Sequence, residues 1–201
     1  MTELKREYYP NGELKSEVFL VDGQEEGEYK EYFCSKDKDN DKRQLQLICN
    51  YVNGVQNGLY KLYHQNGHLL EVSYSVNNKV NGELIKYHIS GKVWVIAQYS
   101  DDKRNGEFKS YHSNGNLYQI CNFIDDKVNG EEKIYHQNGK IKGIFNYTNG
   151  TLNGEYKSYY DNGQLKEIVN YIDGKRNGEY KLYDKKDNLK ETRNYWNDVE
   201  I

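Results

Sequence analysis

Proline is nearly absent from this sequence, one residue among 201, so the 18 glycines do the punctuation. Long apolar runs are absent as well. The opening stretch MTELKREYYPNG is polar and predicts neither a secretion signal nor a membrane-spanning helix. No basic excess exists: 28 Lys and Arg stand against 31 Asp and Glu, a net charge of −3, which removes the electrostatic footprint of a nucleic-acid binder. Cysteine is scarce. Cys34, Cys49 and Cys121 are an odd number without a secretion signal, which predicts free thiols in a reducing compartment. Apolar residues are also few, 36% of the chain, with a mean hydropathy of −1.06. Such polarity usually means disorder, but disordered chains lack aromatics. Here 21 residues are Tyr and 14% are aromatic. The apolar surface is carried on rings with polar tips, which suits a thin structure with two wet faces.

What the sequence does have is a repeat. Glycines opening GEYK-like segments fall at Gly27, Gly58, Gly82, Gly106, Gly130, Gly154 and Gly178, the last six spaced by 24 residues. The interval from Gly27 to Gly58 is 31, one period plus a seven-residue insertion in the charged stretch 34–43. Glu3 occupies the same place ahead of YYPNG. One array of eight units, starting near residues 3, 27, 58, 82, 106, 130, 154 and 178, is therefore expected over residues 1–201. With the anchor as position 0 and the insertion discounted, position +5 is Tyr in all eight, among them Tyr63, Tyr87, Tyr111, Tyr135 and Tyr159. Position +11 is aliphatic in all eight, among them Leu69, Leu117 and Leu165. These two positions are the predicted structural core of the repeat. Cys49 and Cys121 fall at +15, three repeats apart, so pairing them would require the array to fold on itself.

Two turn signals alternate: Asn-Gly at +8 and +9, and a stretch such as Asp173 to Gly178 between units. The runs between them have strand length and are rich in Tyr, Ile, Val and Phe, which predicts β-hairpins. The expected fold is all-β, an elongated single-layer antiparallel meander of about sixteen strands, ~75 Å long at ~4.8 Å per strand. A type I turn with a glycine bulge at Asn-Gly is preferred over a two-residue loop. It places +5 opposite +11, with +15 and +17 beside them, and leaves +2, +6, +12 and +14 on the other face.

The pattern G-E-Y-K-x-Y-x-x-N-G-x-L, seen in GEYKSYYDNGQL, GEFKSYHSNGNL and GLYKLYHQNGHL, resembles the MORN repeat variant of bacterial and large-DNA-virus proteins. Departures are Glu3 for the anchor, Ser90-Gly91 and Asp187-Asn188 for the turn, and the insertion. The resemblance implies a twisted β-meander serving as scaffold or interaction module. It also implies two narrower roles borne by some relatives: antitoxin or immunity-type inhibition of a partner protein, and attachment to membrane lipid. The expected location is cytoplasmic, or a virion if the chain is viral.

Chemistry is hard to find in the residues. No G-x-S-x-G nucleophile motif and no phosphate-cradling glycine loop before a helix is present, so no enzyme is expected. His64, His88, His112 and His136 share position +6, but neighbours in that column stand ~9.6 Å apart, too far for ligands that sit ~2.1 Å from one metal. Asp37, Asp39 and Asp41 copy the start of a calcium loop, yet Lys42 and Ile48 replace its required Gly and Glu, so no metal or other cofactor is expected. Glu at +1 and Lys at +3 predict a solvated charge ladder. The informative departure is position +12. It is Lys15, Lys142, Lys166 and Lys190 in the outer units, but Leu70, Trp94 and Tyr118 in three consecutive middle ones. With His64, His88 and His112 on the same face, this cluster is the candidate partner-binding surface. The function expected is a non-enzymatic scaffold binding another protein along an extended face. A membrane-surface module is the alternative, and self-association through the array ends is a further option.

Overall fold

The computed structural model describes residues 1–34 and 43–201; the calcium-loop residues Asp37, Asp39 and Asp41 lie outside the described residues. Among the described residues the chain is all-β, with no helix, and every pairing between strands is antiparallel. It divides into two compact units, residues 1–103 and 104–201.

In the first unit β1 (Thr2–Tyr8), β2 (Leu14–Val21), β3 (Gln24–Tyr32), β4 (Leu45–Val52), β5 (Val55–Gln56), β6 (Gly58–Tyr63), β7 (Leu69–Val76), β8 (Lys79–Val80), β9 (Gly82–Tyr87) and β10 (Val93–Ser100) follow one another as a meander. The second unit repeats the plan. It contains β11 (Lys103–Tyr111), β12 (Leu117–Ile124), β13 (Lys127–Val128), β14 (Gly130–Tyr135), β15 (Ile141–Thr148), β16 (Thr151–Leu152), β17 (Gly154–Tyr159), β18 (Leu165–Ile172), β19 (Lys175–Tyr183), β20 (Leu189–Trp196) and β21 (Val199–Glu200). The two-residue strands β5, β8, β13 and β16 are the leading ends of β6, β9, β14 and β17, cut off at the Asn before the anchor glycine. Joined to them, they restore the sixteen expected strands, with β21 as a terminal addition.

The anchor glycine is needed because of a bulge. Ile168 pairs with Lys181 and Asn170 with Asn177, so three residues of β19 face one of β18, and Gly178 at φ 85° carries the excess. A left-handed φ costs an L side chain roughly 1–2 kcal/mol, which fixes Gly there. The turns between units are two-residue type I′ turns with both central residues left-handed, as in Asp173 (φ 49°) and Gly174 (φ 79°). That geometry selects Asn, Asp and Gly. Within units, the Asn-Gly turn is the type I turn with a glycine bulge expected from the sequence. At His64–His68 the Gly67 amide donates to the His64 carbonyl, and the His64 amide donates to the His68 carbonyl, 2.9 and 2.8 Å.

Tyr at +5 faces the aliphatic residue at +11, as in Tyr111 with Leu117, but beyond that pair the expected facing is wrong. Ser110 pairs with Gln119, so Tyr118 is an extra residue and the alternation reverses across it. Positions +13, +15 and +17 therefore join +2, +4, +6 and +12 on one face. Positions +1, +3, +5, +11 and +14 form the other.

The first is an aromatic face. Its buried centre is +15: Val18, Cys49, Ala97, Cys121 and Val169 are all at or below 4% exposed. Rings at +2 and +17 close over these small residues edge to face, Tyr29 with Tyr51 at 6.0 Å, Phe108 with Phe123 at 5.5 Å and Tyr156 with Tyr171 at 6.2 Å. Such contacts add ~0.5–1.5 kcal/mol each beyond the area buried. The predicted core residues Tyr63, Tyr87, Tyr111, Tyr135, Tyr159, Leu69, Leu117 and Leu165 lie on the opposite face and are half-buried. That face carries the charge ladder: Lys30–Glu28, Lys109–Glu107, Lys133–Glu131, Lys157–Glu155 and Lys181–Glu179 pair along their own strands at 2.5–2.7 Å.

Candidate partner-binding surface

The six predicted surface residues each project on the aromatic face of their own unit. In the first unit Trp94, on β10, lies against His88 of the same hairpin, the rings tilted by 34° with centroids 5.8 Å apart, and remains 45% exposed. Leu70, on β7, occupies the same position one repeat earlier and is half-buried, with His64 at the end of its hairpin also half-buried. In the second unit Tyr118, on β12, meets His112 edge to face at 5.0 Å and is 38% exposed. The bulge brings each pair together: it turns +12 toward the ring at +6.

The histidines have a further task that the sequence does not show. His64, His112 and His136 each point Nε2 at the backbone carbonyl of the +5 tyrosine of the next repeat: Tyr87, Tyr135 and Tyr159, at 3.4, 3.1 and 3.1 Å. A carbonyl only accepts, so Nε2 carries the proton. Tyr9 and Tyr160 make the same bond with their hydroxyls, to the Tyr32 and Tyr183 carbonyls at 2.7 and 2.8 Å. This shared role explains why His and Tyr exchange at +6. The His88 Nε2 is buried without a hydrogen-bond partner among the described residues. No group of three or more possible metal ligands occurs among the described residues.

The Asn at +8 works in parallel. Asn66, Asn114, Asn138 and Asn162 each donate through Nδ2 to a carbonyl in the next repeat's turn, those of Ile89, Gln137, Asp161 and Lys185, at 2.8–3.2 Å. At the opposite edge the Asp102 amide donates to the Val80 carbonyl at 3.0 Å, and the Val80 amide returns a bond to Asp102 Oδ1 at 2.7 Å. Within each unit both edges are thus tied repeat to repeat. The exposed +12 rings sit on a framework held at each end.

Two features of the second unit escaped the sequence reading. Glu167 accepts from the Tyr156, Ser158 and Tyr180 hydroxyls at 3.2, 2.9 and 3.2 Å. Burial, with Glu167 beside it, pushes the Tyr180 phenol up to about 12. Phe145 occupies +15, where every other unit but the last, with Arg193, holds a small residue or valine. Its cross-strand partner at +2 is Glu132 in place of a ring, and Gly143 stands at +13. A Cβ on Gly143 would come within 2.9 Å of the Phe145 ring. The signal that marks this site is a glycine inside a strand, away from any turn.

The MORN repeat variant family matches the chain at residues 4–22, 56–77, 104–125, 128–149, 152–173 and 176–197. These six segments cover more than half of the chain, which belongs to that family. Among curated proteins none matches it. The two repeats left between the matched segments contain the charged insertion and Trp94 respectively.

Proposed function

We propose that this chain is a non-enzymatic repeat scaffold that binds another protein on its aromatic face. The observation that carries the reading is the difference between +12 side chains on hairpins of the same design. Trp94 and Tyr118 are held against histidines with much of each ring in solvent, where the outer units place lysine. Trp and Tyr are the usual anchors of interface hot spots, and truncating one typically costs at least ~2 kcal/mol of binding. Antitoxin or immunity-type inhibition is a special case of the same reading, with a toxic protein as partner. A membrane-surface module draws less support, because five +3 lysines are already paired with +1 glutamates and such a ladder offers an anionic headgroup little net field. No helix among the described residues is long and apolar enough to cross a membrane.

Affinity capture from the native source tests the reading with wild type and Trp94→Lys as baits. Lysine at +12 is accepted four times elsewhere, so the variant keeps its melting temperature and loses the captured protein. Capture of the same protein by both baits removes Trp94 from the site. An unfolded variant makes Trp94 a residue of the fold. Flotation with anionic vesicles, unchanged by Trp94→Lys, would favour the membrane reading.

A further inference from the structure

We propose that a cavity on the aromatic face of the second unit, between the sixth and seventh repeats, docks an apolar side chain flanked by carboxylates on an acidic segment of a partner protein. The cavity holds about 380 Å³, within the range of ~300–1,000 Å³ typical of binding pockets. Two small residues make the space. Gly143 leaves +13 empty, and Ser158 faces it from β17 across the strand pair. The walls are the Phe145 and Tyr156 rings, with centroids 4.8 Å apart, and Ile134. They offer one aromatic or branched side chain an apolar seat.

Charge selects the flanks of that side chain. Lys142 and Lys166, both exposed at +12 of neighbouring repeats, line the cavity, ~9.6 Å apart by strand spacing. Neither makes an ion pair or hydrogen bond among the described residues, unlike the laddered lysines of the other face. The other charges at the cavity are already engaged. Lys185 is paired with Asp161 at 3.0 Å, and Glu167 accepts its three hydroxyls. Charged groups at the cavity thus sum to one excess positive charge, on a chain whose net charge is −3. The neighbouring cavity of about 400 Å³ makes no comparable offer. Its Arg176 is bonded to Asp198 and lies over the Tyr195 ring, and its Arg193 is bonded to Glu191.

The proposal rests on the partner-binding reading in taking a protein segment as the occupant, but it concerns different residues. Its test uses the peptide Ac-Glu-Gly-Phe-Gly-Glu-NH2, whose Glu side chains share a face with Phe when extended. Amide chemical shifts of the whole chain are followed during titration. Saturable shifts are expected at Gly143, Phe145 and Ser158, with about fivefold weaker binding when Gln replaces Glu and none when Ala replaces Phe. Lys142→Glu with Lys166→Glu weakens binding at least tenfold. If the double reversal does not fold, Lys142→Gln with Lys166→Gln gives the same direction at about fivefold. Absence of saturation at millimolar peptide, or equal affinity in the lysine variants, overturns the proposal. Trp94→Lys leaves this titration unchanged, so the cavity and the Trp94 site fail separately.

Discussion

The imidazole of His136 donates through Nε2 to the backbone carbonyl of Tyr159, 3.1 Å away and one repeat further along the chain. In the following repeat the Tyr160 hydroxyl reaches the Tyr183 carbonyl in the same way at 2.8 Å. A buried hydrogen bond contributes ~0.5–1.5 kcal/mol net. His136→Phe keeps a ring in place and removes the donor, so it should lower stability by about 1 kcal/mol. His136→Tyr should be within ~0.5 kcal/mol of wild type. Urea titration of the two variants checks this. Equal losses would mean that the ring's packing, not the bond, matters.

Asp102 tests the other edge. It is left-handed at φ 68°, and its carboxylate accepts from the Val80 amide at 2.7 Å. Asp102→Ala loses that bond and keeps the strained conformation, for a combined cost of about 2 kcal/mol. Asp102→Gly loses the bond but relieves the strain, and Gly23, Gly54, Gly150 and Gly174 already fill the same place in other turns. It should cost less than 1 kcal/mol. Thermal unfolding that ranks Gly below Ala would contradict the type I′ assignment.

Neighbouring positions on opposite faces should respond in opposite directions. Ser110 is 6% exposed and its hydroxyl has no partner among the described residues. Ser110→Ala removes a desolvated hydroxyl and should be neutral or stabilising by up to ~1 kcal/mol. Tyr111 pairs with Leu117 on the other face and is half-buried. Tyr111→Ala should cost about 2 kcal/mol, below the ~3–5 of a fully buried ring. Denaturant midpoints that move together would refute the assignment of faces.

The repeat, its hairpins, both turn types and the +5 to +11 pairing were legible because each depends on a residue type the geometry demands. Glycine serves left-handed φ, Asn-Gly the turn, and Tyr the ring with a wet tip. The column at +15, buried in six of the eight units, was not legible. It reads Val18, Cys49, Ser73, Ala97, Cys121, Phe145, Val169 and Arg193, with no shared chemistry. What holds it together is volume against its partner at +2. Phe145 is accommodated only because Glu132 replaces a ring opposite it and Gly143 stands beside it. The facing beyond +12 was misread for a related reason. An extra residue at a bulge leaves no mark in composition, yet it reverses every side chain that follows. The candidate cluster Leu70, Trp94 and Tyr118 was found because it breaks a column, and Gly143 was missed although it breaks one too.

Alkaline pH gives a final test of the aromatic face. Burial pushes the Cys121 thiol up to about 12, with Glu132 adding to it, and the Cys49 thiol up to about 11. Burial also raises the Tyr51 phenol to about 12, helped by Cys49, and the Tyr147 phenol to about 12, helped by Glu132. In the unfolded chain these groups ionise near ~8.5 for thiols and ~10 for phenols. Between those values and about 12 the folded state binds more protons than the unfolded one, so stability falls as pH rises. The urea midpoint should stay level from pH 7 to about 8.5 and decline steadily from about 9 to 12. Thiol labelling reports the same environment directly. At pH 8 one thiol per chain, the exposed Cys34, should react within seconds with a disulfide reagent, and three should react once the chain is unfolded. Immediate reaction of all three would mean that +15 is open to solvent. A stability that rises above pH 9 would mean that the phenols and thiols are not buried where the structure puts them.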